Sequence, residues 1–510
     1  MSGANEPTPG LDLLAERLGG RAVAANDEFF AEKENLVKVA RAIWIDDKYT
    51  DRGKWMDGWE TRRRRVPGHD WCVLALGLPG AIHEVVVDTA FFRGNYPEAC
   101  SIEGAALAPG SSPSFTDGGV AIAWLEILPR TPLQGDTANR FPIAMPWRFT
   151  HLRLNIYPDG GVARFRAYGS VIPDRRLASD DHGRTDLAAV GNGGYVLAAS
   201  DMFFSNRNNL ILPGPSLNMG DGWETKRRRG PGHDWVIVRL ATEARLSRVV
   251  IDTQHYKGNA PGSAELDGLV APRDADPEAL RARADWRPLL ARTPLRPDHA
   301  HEYSSELADA GPITHVRLAI HPDGGVARLR LYGEPTAVGR AAVAIAWLDA
   351  LPPAAFATEL AQCCAAPRFL DTLASSRPFG SRAALDLAIE RALAALTEDD
   401  LRDAMRRHPR IGEAAAQANT TATEARWSAG EQAGVAQAGA GVRDRLRELN
   451  RVYEQRFGWV FLVCATGLSA DELAGRLEAR LGNDPATELA IAGREMCKIA
   501  RLRVDKLLAP

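Results

Sequence analysis

The 510-residue chain has no apolar run approaching the roughly 18 residues that would span a bilayer. Its opening stretch, MSGANEPTPG, has no basic segment leading into an apolar one, so no secretory signal is visible and the cytoplasm is the expected compartment. Cysteine is scarce. Cys72, Cys100, Cys363, Cys364, Cys464 and Cys497 form no CxxC pair and no disulfide-framework spacing, which points to reduced thiols. An excess of either charge is also lacking: 62 Lys and Arg face 65 Asp and Glu, for a net charge of -3. That balance argues against a general nucleic-acid binder, and no membrane partner is expected. Paired histidines at metal-ligand spacing are absent from the repeated motifs described below. The one HAH, at His299, falls in an expected loop.

What the sequence does have is an internal duplication. DGWETRRRRVPGHDW at Asp57 returns as DGWETKRRRGPGHDW at Asp221, with 13 of 15 positions identical. The same spacing relates VVVDTAFFRGN (Val85 onward) to VVIDTQHYKGN (Val249 onward). It also relates THLRLNIYPDGGVARFRAYG (Thr150 onward) to THVRLAIHPDGGVARLRLYG (Thr314 onward). Val316, Leu318 and Ile320 alternate with Arg317 and His321, the period of a strand with one buried face, and Pro322-Asp323-Gly324-Gly325 reads as a hairpin turn. The pattern predicts two antiparallel β-sandwich domains, residues 12–171 and 186–335, joined by a polar linker over 172–185. From residue 343 to 510 alanine, leucine and charged residues dominate. RAALDLAIERALAALTEDDLRDAMRRH has helical spacing, SADELAGRLEARLG opens on a Ser-x-x-Glu capping box, and the region reads as an all-α domain.

Each repeated motif combines an arginine block with Gly-His-Asp. Arginine presents a planar fork that matches a carboxylate. His69-Asp70 and His233-Asp234 supply a proton carrier beside a carboxylate, although such a pair is more often structural. Trp59, Trp71, Trp223 and Trp235 read as core residues. DGWETxRRRxPGHDW, with VDTxxFxGN and RTPL, resembles the allantoicase family over about residues 12–335. The resemblance implies paired jelly-roll-like sandwiches and hydrolysis of allantoate to ureidoglycolate and urea. It makes Glu60, His69, Asp70, Glu224, His233 and Asp234 the candidate catalytic residues and Asp252 a substrate contact. A divalent metal could assist, but no spacing in the sequence specifies its ligands. Two copies of the motif fit either two sites or one site served by both repeats.

In the helical region, RPF at Arg377, HPRIG at His408, SAGEQ at Ser428, YEQRFG at Tyr453 and KIARLRV near the end together resemble OHCU decarboxylase (OHCU is 2-oxo-4-hydroxy-4-carboxy-5-ureidoimidazoline). Arg410 and Ile411 depart from the family's usual residues after His-Pro. The resemblance implies that His408 transfers the proton and that Glu431 orients it. Pro409, Ser428, Gln432 and Arg503 would bind substrate, with Phe461, Leu462 and Val463 supplying backbone hydrogen bonds and an apolar wall. No cofactor is required, because the imidazoline ring can hold the electron pair left by CO₂.

The two resemblances meet in urate degradation. One reaction forms (S)-allantoin, and the other consumes allantoate one ring-opening later. The expected partners are these small molecules, and a homo-oligomer is compatible with the sequence. The alternative is that the β repeats form a non-catalytic ligand-binding module attached to an active decarboxylase, since sandwiches often bind sugars.

Overall fold

The computed structural model describes residues 10–108, 115, 122–406, 410, 427 and 439–508. The chain separates into two compact units, one ending at Pro352 and the other beginning at Pro353.

In the first unit each repeat is organised around one long strand, Asp70–Asp88 and Asp234–Asp252. Val, Leu and Ile at alternate positions favour this extended, half-buried conformation. Cys72, Leu74 and Leu76 enter the core of repeat 1, and Val236, Val238 and Leu240 that of repeat 2. Complete burial of one such side chain is worth about 1.5–3 kcal/mol. The first half of Asp70–Asp88 pairs with Arg148–Tyr157 and Arg21–Ala25, and the second half with Arg164–Val171 and Ala138–Pro142. One strand therefore serves both layers of the sandwich. Ala99–Ala105 and then Leu125–Pro132 extend the first layer. Repeat 2 reproduces this order strand for strand, so each repeat is an eight-stranded antiparallel sheet folded about its own core.

The expected hairpin about Pro322–Gly325 does not form. Ile313–His321 and Arg328–Pro335 pair with different halves of Asp234–Asp252. The turn carries the chain from one layer to the other, and Gly325-Val326 pairs instead with Trp223-Glu224 of the repeated motif. Gly160 and Gly324 in these turns take φ of 139° and 136°. A Cβ there would lie 2.7 Å from the Pro97 nitrogen or 2.5 Å from the Asn259 carbonyl, so glycine is required in both repeats. His299 lies in a loop as expected, whereas His301 of the same HAH lies in the strand Ala300–Tyr303. Trp59 and Trp223 are core residues as expected. Trp71 and Trp235 are only half-buried, because alternation turns them to the outer face.

The repeats meet where Ala15 and Leu18 join the core of repeat 2, with Leu78 and Val171 packed against it. Arg17 adds a 2.8 Å ion pair to Asp221, the first residue of the second motif. Helix Ala337–Ala350 closes this unit. Thr336 caps it, and the Thr242 hydroxyl donates to the Gly339 carbonyl.

The second unit is helical. The capping box at Ser469 starts Ala470–Arg480 as expected, and Pro485–Leu508 is the long last helix. The helical stretch from Arg382 divides into Arg382–Ala394 and Glu398–Arg406. At the break the Thr397 hydroxyl accepts from the Asp400 amide while the Asp400 carboxylate accepts from the Thr397 amide, a local cap that outcompetes helix continuation.

Candidate functional site

The duplicated motif builds the same frame twice. Trp59-Glu60 pairs with Gly161-Val162, and the Thr61 amide donates to the Gly160 carbonyl. The backbone of Arg64 donates to Asp159, while its guanidinium reaches Asp70 at 2.7 Å. Asp70 is only 2% exposed and also accepts from Asn26 at 2.8 Å. In repeat 2, Arg228 donates to Asp323 through its backbone and to Asp234 at 2.5 Å through its side chain, and the Ser200 hydroxyl adds a bond to Asp234. The arginine block thus divides. Arg64 and Arg228 turn inward to hold the loop. Arg63, Arg65, Arg227 and Arg229 remain exposed, and Arg62 and Lys226 pair with Asp27 and Asp201.

Adjacency in sequence does not bring His69 to Asp70. Successive residues at the strand entrance point to opposite sides. Asp70 faces inward, whereas the His69 ring rests 4.9 Å from Tyr157. His233 is placed in the same way, 4.7 Å from the ring of His321. Burial holds the His233 pKa below its ordinary value, and the neighbouring His321, Arg317 and Arg228 push the same way against Glu265. Glu60 accepts from the Asn95 amide at 2.7 Å, and Glu224 accepts from Asn259. Burial raises the pKa of Glu60, opposed by the Asn95 bond. Asp252 accepts from the Gln254 amide at 2.8 Å and so closes the turn after the central strand.

Beside each histidine lies the outer face of the sheet. In repeat 1, Tyr157 shares a 2.9 Å hydrogen bond with Ser101, Asn155 donates to Ser101 and Glu103, and Arg153 pairs with Glu103 at 2.6 Å. Arg153 also lies over the Trp124 ring. Repeat 2 keeps the arginine and its partners as Arg317, Asp267 and Trp286. It replaces the other three positions: His321 stands where repeat 1 has Tyr157, Glu265 where it has Ser101, and Ala319 where it has Asn155. His321 Nε2 lies 3.2 Å from the Glu265 carboxylate. The alternation of Arg317 and His321 was readable in the sequence, and Asn95 and Asn259 end its repeated Gly-Asn signature. Ser101, Asn155 and Glu265 were missed, because only strand register places them beside the motif.

In the helical unit, His408, Pro409, Ser428, Glu431 and Gln432 lie outside the described residues. Phe461, Leu462 and Val463 are buried in the segment following Gly458. Arg480 donates to the Leu462 carbonyl at 2.6 Å, and the Cys464 amide donates to Glu495. The Leu462 carbonyl is therefore already engaged within the protein. Arg480 also pairs with fully buried Glu488, which accepts from Tyr453 and from Asn483. Tyr453 of the YEQRFG signature thereby fixes the 459–465 segment, a structural role the sequence did not disclose. Arg503 is buried on the last helix and donates toward the Gln362 carbonyl. Arg377 of the RPF signature stacks over Phe356.

Among the described residues no group of three or more His, Cys, Asp or Glu is arranged to hold a metal ion, and no helix is long and apolar enough to cross a membrane. A family model described as the allantoicase repeat matches residues 11–172 and 185–336, and one described as OHCU decarboxylase matches 349–505. A probable allantoicase from Burkholderia mallei is 47% identical over 323 residues, covering 63% of this chain and 94% of its own length. The allantoicase of Dictyostelium discoideum is 46% identical over 321 residues, covering 63% and 86%. The crystal structure of allantoicase from Saccharomyces cerevisiae aligns with 34% identity and a TM-score of 0.50, covering 64% of this chain and 93% of that one.

Proposed function

Since this chain belongs to the allantoicase family and carries an OHCU decarboxylase domain behind its two repeats, we propose that its first unit hydrolyses allantoate to ureidoglycolate and urea and that its helical unit converts OHCU to (S)-allantoin. The chain is a bifunctional enzyme of allantoin catabolism, a hydrolase joined to a lyase. The observation that carries this reading is the presence of two families from one pathway in a single chain.

For the hydrolase, the exposed arginines of the motif suit the allantoate carboxylate. His233 and Glu224, with their repeat 1 counterparts His69 and Glu60, are the titratable motif groups proposed to line the site. Asp70 and Asp234 act at one remove by fixing Arg64 and Arg228, and Asp252 by closing the adjacent turn. For the decarboxylase, the resemblance assigns proton transfer to His408, its orientation to Glu431, and substrate contacts to Pro409, Ser428 and Gln432. Phe461 and Val463 supply the apolar wall, since desolvating a carboxylate favours loss of CO₂. Buried Arg503 suits the substrate's negative charge. The decarboxylation is proposed to need no cofactor, because the substrate ring delocalises the electron pair. A divalent ion would assist the hydrolase by polarising a ureido oxygen. Urea release before and after dialysis against a chelator, with the ion restored, decides between metal-assisted and metal-free hydrolysis.

The cytoplasm is the proposed compartment, with free metabolites as partners. A homo-oligomer is proposed on the exposure of Phe203 and Phe204, at 69% and 62%, and sedimentation of the full chain tests it. The direct test of function assays the full chain for urea from allantoate and for optically active allantoin from OHCU. Both products are expected. If OHCU is turned over but no urea is released from allantoate, the β repeats are the ligand-binding module instead.

A further inference from the structure

We propose that the proton chemistry of urea release resides in repeat 2, with His321 as the catalytic acid–base group and Glu265 as its positioning carboxylate, and that the matching face of repeat 1 does no proton transfer. This inference rests on the hydrolase reading above and names the working site within it.

Around the outer face both repeats hold the same frame. Arg64–Asp70 corresponds to Arg228–Asp234, and Arg153–Glu103 to Arg317–Asp267. Trp124 and Trp286 lie under the equivalent arginines, and His69 and His233 cover the equivalent rings. Inside that constant frame three neighbouring positions change together. Repeat 1 has Tyr157, Ser101 and Asn155, a neutral set joined by bonds of 2.9 and 3.2 Å, with Asn155 also donating to Glu103 and Arg130 over the Tyr157 ring. A phenol and a hydroxyl stay largely un-ionised near neutral pH and are poorer proton acceptors there than an imidazole held against a carboxylate. Repeat 2 has His321 and Glu265, an imidazole against a carboxylate at 3.2 Å, and Ala319 removes the competing amide.

A carboxylate on one ring nitrogen fixes the tautomer and leaves the other for substrate. The groups facing His321 are His233 from the loop before the central strand, Glu265 from the adjoining strand, and Arg317 from its own strand, with Arg228 and Asp267 behind them. The His321 side chain is 12% exposed and that of Glu265 36%, and His233 beside them is exposed, so solvent reaches the pair along its Glu265 side. In the proposed step water's oxygen bonds to the central carbon of allantoate. The carbon–nitrogen bond to one ureido arm breaks, and its electron pair goes to that nitrogen. His321 takes the proton from water and delivers it to the same nitrogen, so urea leaves and His321 ends neutral.

The test uses the full chain and four variants: His321→Gln, Glu265→Gln, Tyr157→Phe and the exchange His321→Tyr with Glu265→Ser, which installs repeat 1's own pair. Urea release is measured across pH, with allantoin formation and thermal unfolding as controls. His321→Gln and the exchange should lower kcat by about 10²–10⁴-fold and remove the limb of the pH profile that falls on acidification. Glu265→Gln should lower kcat less and displace that limb, with KM little changed. Tyr157→Phe should keep both kcat and the profile. Wild-type kcat and profile in His321→Gln would overturn this assignment while leaving the hydrolase reading intact. So would a Tyr157→Phe variant impaired as severely as His321→Gln. A wild-type chain that releases no urea from allantoate would overturn both. The exchange variant guards against simple misfolding, because both new residues already occupy these positions in repeat 1.

Discussion

At the scale of single residues, burial sets the acid–base behaviour of two histidines that take no part in the proposed chemistry. His315 is completely buried, and burial and nearby Arg239 and Arg273 push its pKa down to about 4. His151, its counterpart in repeat 1, is lowered to about 4 by burial and Arg21. Both are neutral in the fold but protonate in the unfolded chain near the ordinary value of about 6.5. The unfolded state therefore binds more protons between these values, and stability falls as pH drops from about 6.5 to about 4. Each tenfold increase in proton concentration across that window costs about 1.4 kcal/mol per fully buried group. Thermal unfolding of the first unit followed from pH 7 to 4 should show this slope, and His315→Gln should flatten it. A second residue-scale prediction separates the two kinds of motif arginine. Asp70→Asn strips Arg64 of its carboxylate and should cost about 1–3 kcal/mol in chemical denaturation. Arg62→Ala, on an exposed side chain, should stay within about 0.5 kcal/mol.

At the scale of elements, alternation and turn chemistry were legible in the sequence, but register was not. Val316, Leu318 and Ile320 face the core, and Arg317 and His321 face outward, as their spacing requires. The same sequence read the Pro-Asp-Gly-Gly turn as a hairpin. A glycine turn announces a reversal but not whether the next strand pairs with the last one or crosses to the other layer. Glu265 lies 56 residues from His321 in the chain, and no local pattern couples them. The helical unit has an equivalent hidden element, the buried cluster of Arg480, Glu488, Tyr453 and Asn483 that holds the 459–465 segment. Glu488→Ala leaves Arg480 as a buried unpaired charge, a change worth about 3–5 kcal/mol. It should abolish allantoin formation and spare urea release. Loss of both activities together would show that the cluster supports more than the helical unit.

At the scale of the whole molecule, the duplication was plain from the sequence because it preserves an entire structural frame. Its asymmetry was less plain, because it rests on three positions that only the fold places side by side. Tyr256 and His255, which depart from their repeat 1 counterparts in sequence, prove to be structural supports. Tyr256 is completely buried with its hydroxyl on the Met219 carbonyl, and His255 bonds the Ser216 carbonyl. One chain performs two separable reactions. The most direct measurement is a paired assay of the full-length His408→Asn variant, following urea from allantoate and optically active allantoin from OHCU in the same preparation. Allantoin formation should fall by about 10²–10⁴-fold with urea release unchanged. Wild-type decarboxylation by this variant, or a matching loss of urea release in a chain that remains folded, would contradict it.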